Sequence, residues 1–159
     1  MVNCYRPHVV VLPEDEANRQ IANGFLLEPR LQPRHIQILP IAGGWPRVLA
    51  DLKSRQIDLL RRFADRQLVL IVDFDGNVDE RRRVFTADLP EELRGRVFLI
   101  GTRDEPETLR RLCQMSLECI GTQLASECGD ADFSGLWSHD DLAHNKSELE
   151  RLMVAVRPI

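Results

Sequence analysis

At 159 residues the chain has the length of one domain, and its 43% hydrophobic and 29% charged residues suffice to build a core and keep it in water. It contains no apolar run long enough to span a bilayer. The N-terminus shows no basic stretch leading into a small-residue cleavage site, and the net charge of −4 lacks the basic excess of a protein that grips DNA unaided. Cys4, Cys113, Cys119 and Cys128 stand at irregular spacings, which without a secretory signal points to reduced thiols and a cytoplasmic protein with no membrane partner.

Residues 8–13 read as a first strand, with Glu14, Asp15 and Glu16 at its carboxyl end. Ala17, Ile21, Ala22, Phe25 and Leu26 then fall on one face of a helix over 17–27. Acids in the first turn of a helix favour its dipole, so at least one of the three carboxylates has a structural explanation, and Glu16 is the best placed for it. A short second strand at 35–39 closes on Pro40. Gly43, Gly44 and Trp45 form a turn, and Pro46 opens a helix with an apolar face up to about residue 63.

The third strand is the apolar run 67–72, which ends abruptly in Asp73-Phe74-Asp75-Gly76-Asn77. Residues two apart on a strand point the same way, so Asp73 and Asp75 are expected on one side of its carboxyl end. A broken helical link covers 81–85 and 90–93, and 96–100 is a fourth strand stopped by Gly101. From Pro106 the spacing is helical to about residue 127. Residues 128–135 read as a loop, and Ser138 with Asp141 approximates a capping box for a last helix to about residue 154. Trp137 reads as core or as a contact anchor.

The pattern is α/β. It predicts one domain over 1–159, with a doubly wound, four-stranded, mainly parallel sheet in the order 2-1-3-4. That core spans about 8–101 and is flanked by helices. Two C-terminal helices form an extension over about 106–159. In that order the first and third strands are neighbours and the chain direction reverses between them, which is where open α/β sheets bind ligands. Glu14 and the Asp73/Asp75 pair would face each other there, and a divalent cation would relieve their repulsion.

A carboxylate after the first strand, a glycine turn after the second and D-x-D after the third resemble the layout of the Toprim domain. That domain is the magnesium-binding catalytic unit of topoisomerases, DnaG-type primases and overcoming-lysogenization-defect (OLD) nucleases. Glu14 falls on the family's first glutamate, Gly43-Gly44 on its glycine turn, Asp73-Phe74-Asp75 on D-x-D, and Asp79 where an extra acid often follows. The resemblance implies Mg²⁺ (or Mn²⁺) held by Asp73 and Asp75, with Glu14 as general acid/base or further ligand and Asp79 as a further ligand. It implies phosphodiester chemistry on nucleic acid, DNA ahead of RNA, with Gly43, Gly44, Arg81 and Arg82 against the substrate. By analogy with OLD nucleases it also implies an ATPase partner and a place in bacterial defence. The chain departs from the pattern at Asp15, where glycine is usual, and at Asn18, where an acid is usual. It is therefore either a divergent active site or a fold that kept its sheet and lost its chemistry.

Three other readings stand beside this one. A non-catalytic binding or regulatory subunit of an ATPase-containing complex fits the small, acidic chain. Asp73-Phe74-Asp75-Gly76 also resembles the haloacid-dehalogenase phosphatase signature, but the lysine and G-D-x-x-x-D that should follow are out of order (Lys146 after Gly129-Asp130). Cys119, Cys128, His139 and His144 offer zinc-binding atoms without a close pair.

Overall fold

The computed structural model describes residues 8–28 and 35–156. Four parallel strands, β1 (His8–Pro13), β2 (Ile36–Ile38), β3 (Arg66–Ile71) and β4 (Val97–Ile100), form one sheet in the order β2-β1-β3-β4. β1 and β3 are central and pair along their whole lengths, from His8 beside Arg66 to Pro13 beside Ile71.

Side-chain alternation along these strands divides the interior into two layers. On one face Val10, Leu12, Leu68, Leu70, Val97 and Leu99 pack against α2 (Trp45–Asp51), α3 (Ile57–Arg62) and α4 (Val78–Ala87). On the other face Val11, Val69, Phe98 and Ile100 pack against α1 (Glu16–Phe25), α5 (Pro106–Cys113), α6 (Leu117–Gly129) and α7 (Lys146–Val156). A strand buried on both faces reads as a continuous apolar run, as 67–72 does. Leu68, Leu70 and Phe98 are fully buried, and each such side chain contributes roughly 1.5–3 kcal/mol relative to exposure. The sheet is thus doubly wound, with helices on both faces.

α2 and α3 are one helical stretch joined by a π-helical turn, Leu52–Gln56, which turns Gln56 inward to accept a hydrogen bond from the buried Arg66 guanidinium at 2.9 Å. Several arginines have structural work of this kind. Arg96 donates to the carbonyls of Leu60, Phe63, Ala64 and Arg66, closing the carboxyl end of α3.

The C-terminal part differs from expectation in two places. Residues 106–127 are two helices, so three rather than two follow the sheet. Gln114 adopts left-handed backbone (φ 53°), and the Ser116 side chain caps α6 by accepting from the Cys119 N–H. The apolar spacing runs through this break and hides it. The last helix begins at Lys146, not near Ser138. The Ser138 hydroxyl bonds the carbonyls of Ser134 and Gly135 in a short 3-10 turn, and Asp141 is spent on the loop after β4. Trp137 is core: it is 4% exposed, and its indole N–H donates to the Leu124 carbonyl.

α1 and α6 cross in backbone contact. A side chain at Gly24 would begin 2.2 Å from the Glu118 carbonyl oxygen, and one at Gly121 would begin 2.0 Å from that of Ile21. The β4 edge is closed by side chains instead of a fifth strand. Glu148 accepts the Leu99 N–H at 3.0 Å, while the Asn145 amide both accepts the Gly101 N–H and donates to the Gly101 carbonyl. No helix among the described residues is long and apolar enough to cross a membrane.

Candidate functional site

The site lies where β1 and β3 end side by side. The Glu14 N–H still pairs with the Ile71 carbonyl at 2.8 Å, so Glu14 continues β1 by one residue. Its side chain turns across the sheet and is 8% exposed. One carboxylate oxygen accepts the Asp73 backbone N–H at 2.6 Å and the other accepts the Trp45 N–H at 3.1 Å. Its carbonyl accepts from Gly43 and Gly44 at 2.8 and 3.2 Å. Those glycines hold φ of 94° and 117°, the left-handed region where a side chain is strained. Glu14 therefore ties together the ends of β1 and β3 and the turn into α2.

Asp15 is the N-cap of α1 and accepts the Asn18 backbone N–H at 3.0 Å; a short acid with extended backbone is suited to this. Glu16 sits in the first turn and pairs with Arg19, which gives it a structural role at the start of α1. Asn18 is fully buried, and its amide nitrogen bridges two carboxylates, donating to Asp15 and to Asp73 at 3.0 Å each. Among the described residues the second Asp73 oxygen has no hydrogen-bond partner, and no cationic side chain lies within ion-pair distance of Asp73.

Burial therefore leaves both acids short of compensation. It pushes Asp73 up to about 7, with the charges of Asp15, Glu14 and Glu107 adding to the effect and the Asn18 amide opposing it. Burial also raises Glu14, helped by the charges of Asp15 and Asp75 and opposed by the two backbone N–H groups. Asp73 and Glu14 do meet at the switch point of the sheet, as the strand order implies.

The other predicted site residues are placed differently. Asp75 has turned into left-handed backbone (φ 50°) at the surface, where one oxygen lies 3.4 Å from the Arg81 guanidinium. Arg81 is buried: it donates to the Asp73 carbonyl at 2.7 Å and its guanidinium stacks 4.2 Å from the centre of the Trp45 ring. It braces the Asp73–Asp75 loop from behind. Arg82 points away, donating to the His144 carbonyl at 2.8 Å and lying over the Phe74 ring. Asp79 is exposed in the first turn of α4.

Sequence reasoning passed over Arg47. It lies in the first turn of α2, exposed, and its guanidinium crosses the space left by the missing Gly43 side chain, with one terminal nitrogen 3.3 Å from where that side chain would begin. It makes no ion pair with any described residue. Its signal was its position three residues after a glycine pair.

Among the described residues no three His, Cys, Asp or Glu side chains are grouped so as to hold a metal ion. That includes the zinc candidates. Cys119 is exposed, Cys128 is buried, the His139 ring accepts the Asp141 N–H, and the His144 ring contacts the Gly101 carbonyl. Comparison of the chain with protein-family models, with curated proteins and with solved structures finds no match.

Proposed function

We propose that the chain carries out divalent-cation-dependent phosphodiester chemistry on nucleic acid, with Asp73 at the centre of the site. The observation that carries this reading is the Asp73 carboxyl itself. It is half-buried beside Glu14 at the switch point, and among the described residues one of its oxygens has no hydrogen-bond partner and no cationic side chain lies within ion-pair distance.

Mg²⁺ keeps several of its waters and needs only one or two protein carboxylates plus substrate phosphate, so the lack of a three-acid cage does not conflict with it. Asp73 fits such an ion, with Asp75 nearest in the chain. Glu14 does not fit as a ligand in this arrangement, because backbone N–H groups occupy both of its oxygens. Its role in this reading is to fix the backbone that presents Asp73. A bound Mg²⁺ or Mn²⁺ would polarise the phosphodiester and stabilise the departing oxygen. Arg47, across the glycine turn, supplies a fork for a neighbouring phosphate. The free thiols of Cys113, Cys119 and Cys128 suit a reducing compartment, and we place the protein in the cytoplasm.

One observation favours a second reading, a non-catalytic subunit working with an ATPase partner. Asn18 stands where the Toprim pattern has an acid, and its amide already offers Asp73 the positive end of a dipole. The discriminating assay is plasmid nicking by the purified chain with Mg²⁺ or Mn²⁺, beside Asp73→Ala. Cleavage that the substitution abolishes, with an unchanged circular dichroism spectrum, supports the enzyme. Cleavage that survives Asp73→Ala overturns it. A chain silent with both ions that also shows no saturable Mn²⁺ binding lost in Asp73→Ala is a binding subunit.

A further inference from the structure

The turn from β2 into α2 carries exposed apolar surface at the mouth of the acidic site. Ile41 is 45% exposed, Pro46 is exposed, and the Trp45 indole is partly so. A side chain added at Gly44 would meet only the Pro46 ring, at 3.7 Å, so no described residue covers the turn there. The indole is held in place. Arg81 stacks on it at 4.2 Å, and Phe85 meets it at 55° with ring centres 6.4 Å apart. A pinned, partly exposed tryptophan loses little freedom when a flat partner settles against it.

The same turn has no backbone donors to offer. The N–H groups of Gly43, Gly44 and Trp45 all go to Glu14, Pro46 has none, and that of Arg47 goes to the Gly44 carbonyl. A glycine turn ahead of a helix ordinarily holds phosphate through such amides. This one can bind only through side chains, which are apolar except for Arg47. Arg47 is exposed and makes no ion pair with any described residue. Apolar and aromatic surface beside a free guanidinium takes up unpaired bases and their phosphates without reading their sequence. In a duplex the base faces are hidden within the stack. Toward the β4 end of the same edge four exposed acids, Asp75, Asp104, Glu105 and Glu107, outnumber Arg103, which disfavours the second backbone of a duplex.

We infer that the turn 41–47 is a docking surface for single-stranded nucleic acid, with bases against Ile41, Trp45 and Pro46 and a phosphate on Arg47. This rests on the reading of Asp73 proposed above and specifies its substrate as unpaired strand. A negatively supercoiled plasmid still supplies such strand where it opens.

The test uses the full chain in EDTA with an oligothymidylate of about twelve nucleotides, an abasic strand of the same length and a duplex of the same length. Anisotropy of the labelled strand measures affinity, and tryptophan emission reports where the strand lies. Trp137 is 4% exposed in the core, so quenching on binding comes from Trp45. The oligothymidylate is expected to quench the emission saturably and to bind about tenfold more tightly than the abasic strand or the duplex. Ile41→Ser, at an exposed position, should weaken it by about fivefold and leave its salt dependence as it is, because an apolar contact releases no counterion. Equal affinity for the abasic strand or for the duplex, binding without quenching, or no effect of Ile41→Ser each overturns the inference, and so does absence of binding. None of these outcomes decides the metal reading, which stands or falls on the Asp73→Ala results for cleavage and Mn²⁺ binding.

Discussion

The Glu14 carboxylate holds the Asp73 backbone N–H at 2.6 Å, so the two acids of the site are joined through main chain rather than through a shared side-chain partner. One acid is spent on positioning the other. This division follows from burial: a carboxylate that is 8% exposed needs donors, and the nearest are the amides of the two segments that converge on it.

Removing that carboxylate orphans two buried amides at once. Glu14→Ala is expected to destabilise the fold by about 2–4 kcal/mol, and Glu14→Gln by less, since one side-chain acceptor remains. Urea denaturation of the two variants checks this. Equal and negligible losses would mean that water replaces the carboxylate without penalty.

The titration of Asp73 gives a pH dependence of unusual sign for an acid. Its folded value of about 7 lies above the ordinary 3.8, so the folded state holds the proton more tightly than the unfolded chain does. Its contribution to stability is therefore greatest near pH 4, is lost as pH rises toward 7, and changes little beyond that. Glu14 is shifted in the same direction. In EDTA the wild type should lose on the order of 1–3 kcal/mol more than Asp73→Asn between pH 5 and pH 8. Parallel melting curves for the two proteins across that range would contradict the assignment. At pH 8, added Mn²⁺ should raise the melting temperature of the wild type alone.

Arg47 is expected to bear on nucleic-acid binding without bearing on the fold. With single-stranded DNA in EDTA, where no cleavage intrudes, Arg47→Ala should lower affinity several-fold and reduce the salt dependence by about one phosphate contact. Arg83, already paired with Glu80 on the exposed side of α4, is the control and should change neither. Fluorescence anisotropy at several salt concentrations measures both quantities.

The α1–α6 crossing should be intolerant of a single methyl group. Gly121→Ala would place its Cβ 2.0 Å from the Ile21 carbonyl oxygen, where only backbone can give way. A loss of about 3 kcal/mol is expected, at the upper end for overpacking, with Thr122 losing its hydrogen bond to the Gly24 carbonyl as the helices separate. Thermal unfolding tests this directly.

The sheet was legible because each strand carries its own signal. The run 67–72 announces a strand buried on both faces, right-handed crossovers make the sheet doubly wound, and the expected order 2-1-3-4 is the one observed. The meeting of Glu14 with Asp73 was legible for the same reason, since topology alone brings those strand ends together. What topology does not specify is where a side chain turns once the strand has ended. Asp75 lies two residues past Asp73, as strand alternation requires for a common direction. The chain has already left the sheet there, and its left-handed φ of 50° carries Asp75 to Arg81. Arg81 and Arg82 look alike in sequence, yet one helix position apart they face Trp45 and His144 respectively. The split between α5 and α6 was hidden because Cys113, Leu117 and Ile120 keep helical spacing across a break made by backbone at Gln114.

The side chains of Asn145 and Glu148 that occupy the rim of β4 also limit how copies of this chain can meet. With the Leu99 and Gly101 amides already engaged, a neighbour's strand finds no free ladder to zip onto there, and the opposite rim, β2, is only three residues long. Fibrillar stacking through strand rims is thereby discouraged from both sides. A chain cut before Ala143 would shed that protection and should precipitate well before its helices melt.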